Sequence, residues 1–273
     1  MRALITGFLT AEGSTRSAAL IRIGLPLLIW SRLGSHFLIY KHHEPLKLLM
    51  VASYFLSTTA MLLGWRSRLS SAWTGLTMMA IYYGVGHLGE HEPYTHHHVY
   101  VLAIAPLLLA CTECGRSYSW DRWRAVKRGT APPERGPTWG LHLISLQLSQ
   151  IYLWGGVSKC TAGYLSGERL EQIFLKLYVG SDYPGFPGFH ELMLLGAWGS
   201  VALEFVLAVG LFVSRTHRWL LPAGLLFHAV MYVTLPVATF SATMALLYLA
   251  AVSPDRVHAF IDEISARPAG KSE

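Results

Sequence analysis

Lys159 ends a nearly uncharged apolar run, Ile151-Tyr-Leu-Trp-Gly-Gly-Val-Ser-Lys159. An ammonium group is costly to hold at membrane depth unless it reaches the surface or finds a partner. Two interpretations follow. Lys159 either snorkels to the membrane surface from the end of a helix, or burial favours its neutral amine, which could then act as a base.

Histidines form a second group of candidate residues, because several of the 13 in the chain lie close together between positions 87 and 98. Imidazoles beside glutamates could bind a metal ion, so His87, His91 and His97 form an alternative set of metal ligands. The pattern is unspecific, since consecutive histidines point in different directions on a helix.

Two more ionisable residues lie inside apolar runs, where such groups are functional candidates. His228 lies in Leu226-Phe-His-Ala-Val-Met-Tyr232 and is either functional or bonded to a carbonyl of a neighbouring helix. Glu204 is the one carboxylate in the middle of its apolar run. Arg22 is its expected counter-ion, and a structural ion pair is the leading interpretation for both.

The elements that must position these residues are membrane helices. Hydrophobic residues make up 52% of the chain and charged residues 14%, against about 25% charged in globular domains. The apolar residues form blocks long enough to cross a bilayer. The sequence therefore predicts an all-α polytopic membrane helix bundle, one domain over residues 1–273 with a core at about 15–255. It has about eight transmembrane helices, predicted at residues 18–40, 46–65, 70–89, 98–114, 139–157, 192–213, 219–235 and 237–252.

The net charge of +6 does not indicate nucleic-acid binding, because the basic residues concentrate in alternate loops. The positive-inside rule places such loops in the cytoplasm. Residues 115–138 are then a basic cytoplasmic loop, irregular in structure, and 160–191 an outward loop with an interfacial helix. Residues 254–273 are a cytoplasmic tail, so both termini lie inside.

Three segments resemble motifs of one membrane protein family, and they occur along this chain in the same order as in that family. Gln147, with Ile151-Tyr152 and Gly156-Val-Ser-Lys159, resembles a Gln…Val-Tyr…Gly-Val-Lys-Lys segment. His97-His98-Val-Tyr-Val-Leu followed by Tyr118-Ser-Trp-Asp121 resembles Asn-His-Ser-Tyr-Leu-Tyr…Trp-Ser-Val-Asp, and Phe227-His-Ala-Val-Met resembles Tyr-His-Cys-Met-Asn. The family is that of the vitamin K-dependent gamma-carboxylases and the bacterial HTTM (horizontally transferred transmembrane) proteins.

The resemblance implies an integral membrane enzyme of the bacterial inner membrane. Lys159 would be the catalytic base, and His98 and His228 would be donors or proton relays. The cofactor would be a vitamin K-type hydroquinone, expected to be menaquinol, used with oxygen and, in a carboxylation, carbon dioxide.

A cofactor-binding group is expected around this base. Gln147 belongs to the matching segment, and Tyr100, Tyr152 and Trp154 supply aromatic rings that suit a flat ligand. The expected partners are membrane lipid and quinone. The large soluble domain of the carboxylases has no counterpart in these 273 residues, so the resemblance does not identify the substrate.

Three alternatives stay open. The chain could be a maturation factor for a secreted peptide or toxin. It could be a histidine-rich metal-binding membrane oxidase or transporter, which metal analysis of the purified protein would distinguish. A non-catalytic membrane scaffold is the third.

Overall fold

The computed structural model describes residues 9–39, 45–178 and 186–266. Within these ranges the chain is almost entirely helical, with one short two-stranded sheet, so the expected all-α class is confirmed. The chain forms two compact units: unit 1 contains Met1–Ser145 and Thr239–Glu273, and unit 2 contains Leu146–Ala238.

Unit 1 is built mainly from apolar helices. In chain order its elements are β1 (Glu12–Ser14), α1 (Arg16–Ile29), a π-helical segment (Trp30–Gly34), α2 (Ser35–Ile39), α3 (Pro45–Leu63), α4 (Ser67–Met79), a second π-helical segment (Ala80–Leu88), α5 (His97–Leu109), α6 (Trp120–Lys127) and β2 (Arg135–Pro137), with α12 (Ala238–Leu247) and α13 (Pro254–Ala266) near the C-terminus.

The remaining helices carry the lysine-containing segment and belong mostly to unit 2. They are α7 (Trp139–Lys159), which begins in unit 1, α8 (Ala162–Leu165), α9 (Glu168–Leu177), α10 (Phe189–Gly210) and α11 (His217–Thr234). Helix α9 is the expected amphipathic helix. Its Phe174 is buried against Phe189 and Met193 of α10.

Three helices in the described ranges are long and apolar enough to cross a membrane: Arg16–Phe37, Pro45–Leu63 and Phe189–Gly210. His97–Leu109 and Ala238–Ala250 are shorter apolar helices. Each of the eight expected spans contains helix, and α11 ends at Thr234, close to the expected end of its span at residue 235. A helical membrane protein is therefore supported, while the number of eight spans is not confirmed.

The sequence predicts an irregular loop at residues 115–138, but the structure shows regular elements there. The segment contains helix α6, whose first turn is capped when the Ser119 hydroxyl accepts a hydrogen bond from the Arg122 backbone N–H. A serine at this position satisfies an amide that has no partner inside the helix. The segment then continues into β2, which pairs antiparallel with β1 through Gly13 and Gly136.

The N-terminal strand, the basic segment and the C-terminal helix meet at one end of unit 1. Arg16 donates hydrogen bonds to Glu134 at 2.9 Å and to Asp262 at 2.5 Å. The Ser14 backbone N–H donates to Asp255 at 3.2 Å. This arrangement agrees with a shared side for these segments, while their cytoplasmic location stays a prediction.

Parts of the expected outward loop (179–185) and of the tail (267–273) lie outside the described residues. His42, His43 and Asp182, which are expected on the outward side from the positive-inside rule, lie outside them as well.

Candidate functional site

Lys159 is the last residue of α7 and forms an ion pair with Glu204 of α10. Its Nζ donates a hydrogen bond to Oε1 of Glu204 at 2.5 Å. The lysine side chain is 28% exposed and the glutamate side chain 8%. The lysine is therefore both partly exposed and paired with a carboxylate, the two conditions under which a cation is tolerated among apolar helices.

The expected pair between Arg22 and Glu204 is wrong. The carboxylate is bound by Lys159, whereas the fully buried guanidinium of Arg22 donates hydrogen bonds to the backbone carbonyls of Met61, Leu62, Cys114 and Tyr118. Met61 and Leu62 lie at the end of α3, where carbonyls have no partner inside the helix and carry partial negative charge. Cys114 and Tyr118 lie in the segment between α5 and α6. The four carbonyls can therefore satisfy a guanidinium without a carboxylate.

The glycine pair before Lys159 leaves room beside α7 for side chains of α10. A Cβ added at Gly155 would lie 3.0 Å from Oε1 of Glu204, and one added at Gly156 would lie 3.2 Å from the Phe205 ring. Gly155 therefore leaves the space that the Glu204 carboxylate occupies.

A phenol–imidazole pair lies on the same face of α7. The Tyr152 hydroxyl and Nε2 of His228 are 2.7 Å apart, and both side chains are buried. Tyr152 and Lys159 are seven residues apart, which places them on one helix face about 10 Å apart along the axis. The structure thus brings Tyr152, His228, Lys159 and Glu204 into one three-helix region of unit 2.

His98 belongs to unit 1 and is bound by a residue that the sequence had not indicated. The Arg32 Nε–H donates to Nε2 of His98 at 2.8 Å, and the His96 ring stacks on His98 at 5.2 Å. A guanidinium keeps its proton, so Nε2 must be the acceptor and the proton of a neutral His98 lies on Nδ1. Arg32 lies in the first π-helical segment, a local distortion that is frequent at functional sites.

The other expected cofactor residues are Tyr100 of unit 1 and Gln147 and Trp154 of unit 2. Tyr100 packs against Tyr82 in unit 1, with ring centres 5.5 Å apart. Trp154 is 69% exposed and Gln147 is half-buried, on a different face of α7 from Tyr152. The structure therefore does not bring Trp154 and Gln147 to the Lys159 face.

The alternative set of metal ligands gains no support from the geometry. Within the part of the chain that the structure describes, no three histidine, cysteine, aspartate or glutamate side chains come together as a metal site. His87 instead contacts the Tyr82 ring, with centres 4.8 Å apart.

These features define a helical membrane protein with ionisable groups inside its helices. The HTTM domain model matches residues 31–255, which is most of the chain, and the protein belongs to this family. The family expected from the three motifs is thereby confirmed. The HTTM domain is associated with vitamin K-dependent carboxylase-like membrane proteins. The chain has no significant match among curated proteins or among solved structures.

Proposed function

We propose that this protein is an integral membrane enzyme in which Lys159 is the base that activates a menaquinol, with Glu204 as its proton partner. The observation that carries the proposal is the 2.5 Å contact between Nζ and Oε1 inside the helix region of unit 2. Membership of the HTTM family supports the reaction class, an oxygen-dependent oxidation or carboxylation.

Glu204 gives Lys159 a route to the neutral form that a base requires. Moving the Nζ proton along the existing hydrogen bond to Oε1 leaves an amine and a carboxylic acid. Because the Glu204 side chain is only 8% exposed, the neutral pair avoids the cost of holding a carboxylate charge away from water. The amine can then accept a proton from a hydroxyl, and Glu204 returns its own proton to solvent before the next turnover.

A hydroquinone fits this position on chemical grounds. When bound, it supplies a hydroxyl proton and the electrons for oxygen chemistry. The second carboxylate oxygen of Glu204, Oε2, is buried without a hydrogen-bond partner among the described residues. Because a buried acceptor without a donor is costly, a hydroxyl-bearing ligand at this point would satisfy it.

The histidines have complementary roles in the proposal. Tyr152 and His228 would relay or donate a proton on the Lys159 face. His98 keeps its Nδ1–H for donation, because Arg32 occupies Nε2. The remaining expectations, an inner-membrane location with both termini inside and a secreted peptide as one candidate substrate, are part of the same proposal.

The decisive variant is Lys159→Arg, measured in lipid nanodiscs supplied with menaquinol. Arginine can keep the ion pair with Glu204, but a guanidinium does not lose its proton at workable pH. We expect quinol oxidation, followed by oxygen uptake and quinone absorbance, to be lost. Lys176→Arg is the matched control, since Lys176 is exposed on α9 and should keep full activity.

Two results would reject the proposal. An active Lys159→Arg protein would show that the lysine only holds charge and position. Binding of menaquinol by the unaltered protein without oxidation in the presence of oxygen would exclude the reaction itself.

A further inference from the structure

A separate charged cavity lies entirely within unit 1. Its volume is about 620 Å³, within the range of about 300 to 1,000 Å³ that is typical of small-ligand sites. The charged residues that line it are four arginines and two carboxylates, namely Arg66, Arg68, Arg116, Arg122, Glu113 and Asp121.

The carboxylates of the cavity are already engaged. Asp121 accepts hydrogen bonds from the backbone N–H groups of Arg66 and Ser67 and from the Ser67 hydroxyl, at 2.8 to 2.9 Å. Glu113 is shared between Arg68 at 3.5 Å and Arg116 at 3.3 Å. Asp121 binds mainly backbone amides, and Glu113 is shared by two arginines. Since four arginines and two carboxylates line the cavity, it carries excess positive charge.

Arg66 is the cation best placed to receive an anion. Arg122 has a carboxylate partner in Glu134 at 2.9 Å. The Arg66 guanidinium lies over the Trp65 ring at 5.4 Å, and no ion pair to it occurs within the described ranges. Its backbone has a φ of 45°, in the left-handed region that non-glycine residues rarely occupy outside turns and functional sites.

The buried guanidinium of Arg22 adds to the positive field beside the cavity. A Cβ added at Gly64 would lie 2.6 Å from Nη1 of Arg22, so Arg22 lies directly behind the Gly64–Arg66 turn. Its hydrogen-bond partners are the four backbone carbonyls described above. Carbonyl dipoles satisfy the N–H groups without cancelling a full charge.

The surroundings of the cavity are those of a membrane interface. Arg66 and Arg68 follow directly after the apolar helix α3, and the exposed rings of Trp65, Trp120 and Trp123 lie close to the cavity in sequence. Tryptophan is enriched at the level of the lipid headgroups. Leu69, which also lines the cavity, is exposed. A ligand would therefore enter from the headgroup layer.

We propose that this cavity binds the phosphate group of an anionic membrane phospholipid, with the Arg66 guanidinium as its main ligand. The guanidinium fork matches phosphate oxygens in a bidentate manner. Arg68 and Arg116, which share one carboxylate, complete the positive side of the site.

The test uses the full chain and counts retained lipid by native mass spectrometry, with phosphatidylglycerol compared with phosphatidylcholine. We expect phosphatidylglycerol to be retained selectively by the unaltered protein. Arg66→Asn should weaken this retention about fivefold, the effect of one basic residue near an anionic lipid surface. Asparagine tolerates the left-handed backbone, so the turn is preserved, and Arg68→Gln provides an independent second variant.

The matched control is Arg218→Asn. Arg218 lies over the Trp219 ring at 5.4 Å, the same arrangement as Arg66 on Trp65, but it does not line the cavity. Its loss should leave lipid retention unchanged. Equal retention in Arg66→Asn, Arg68→Gln and Arg218→Asn would overturn the proposal, provided that circular dichroism shows all three folded.

Inorganic phosphate distinguishes the two sources of the ligand. In phosphatidylcholine nanodiscs, thermal stabilisation by added phosphatidylglycerol but not by millimolar phosphate supports a lipid site. Stabilisation by inorganic phosphate alone, lost in Arg66→Asn, would overturn the lipid source and assign the cavity to a soluble phosphate. No stabilisation by either would overturn the site altogether.

Discussion

The ion pair between Lys159 and Glu204 predicts an unequal response to losing either partner. In Lys159→Met, the Glu204 carboxylate stays buried with an 8% exposed side chain. Oε1 loses the donor that binds it, and Oε2 has none among the described residues. Removing one member of a buried pair costs about 3 to 5 kcal/mol, and we expect a loss of this size in the free energy of unfolding.

Removing the carboxylate instead of the lysine should lower the free energy of unfolding by less. In Glu204→Leu the lysine side chain, 28% exposed and located at a helix C-terminus, can turn its ammonium toward solvent. Losing one charge-assisted hydrogen bond that water can partly replace costs about 1 to 2 kcal/mol. The double variant removes both charges, so it should be more stable than Lys159→Met. The coupling energy should then exceed the cost of Glu204→Leu alone, about 1 to 2 kcal/mol.

The assay is reversible unfolding in mixed micelles, followed by tryptophan fluorescence and analysed as a double-mutant cycle. Lowering the pH should reduce the cost of Lys159→Met, because protonation removes the carboxylate charge. A parallel cycle on the exposed pair of Arg135 and Asp255 should give a coupling below about 1 kcal/mol. The reasoning would be refuted if Lys159→Met lowered the free energy of unfolding no more than Arg135→Gln does.

This prediction also changes how catalysis is tested. From the sequence alone, Lys159→Ala should remove a costly charge and leave the bundle intact. With Glu204 as the partner, the same change strands a carboxylate, so lost activity could reflect lost stability. Lys159→Arg avoids this ambiguity because it keeps the pair.

Three further outcomes follow from the structure. Gly155→Ala should place its methyl group against the carboxylate of the ion pair, 3.0 Å away, and lower turnover by up to about tenfold; unchanged turnover would show that the spacing is unimportant. In the folded protein a maleimide should label the exposed Cys160 and spare the buried Cys114 until detergent denaturation, as quantified by mass spectrometry. The hydrogen bond from Arg16 lowers the pKa of Asp262, so its contribution to holding α13 is present above the ordinary aspartate range and is lost as the pH falls through the lowered value. The protection factors of the α13 amides should fall on acidification, and Asp262→Asn should remove that dependence.

The sequence by itself determined the class, the helices and the family. Apolar blocks and periodicity are local properties, so they predicted helix in each of the eight expected segments, and three of these helices meet the length and hydropathy of a membrane span. The three motifs around Lys159, His98 and His228 are also local, and they led to the HTTM family that the domain match confirms.

Only the tertiary structure decided which charges meet. Arg22 and Lys159 were both available as partners for Glu204, and spacing along the chain does not choose between them. The choice depends on helix packing. Gly155 leaves the space that the Glu204 carboxylate occupies beside Lys159, while backbone carbonyls of α3 and of the segment between α5 and α6 accept hydrogen bonds from Arg22.

Arg32 shows the same limit. Its contact with His98 depends on where the π-helical segment turns the side chain, and a single inserted residue in the hydrogen-bond register changes that direction. Helix α6 in the basic segment also escaped prediction, because Asp121 is held by backbone amides of a helix start more than fifty residues earlier. Such contacts join distant parts of the chain, and their energies arise only after the helices have packed.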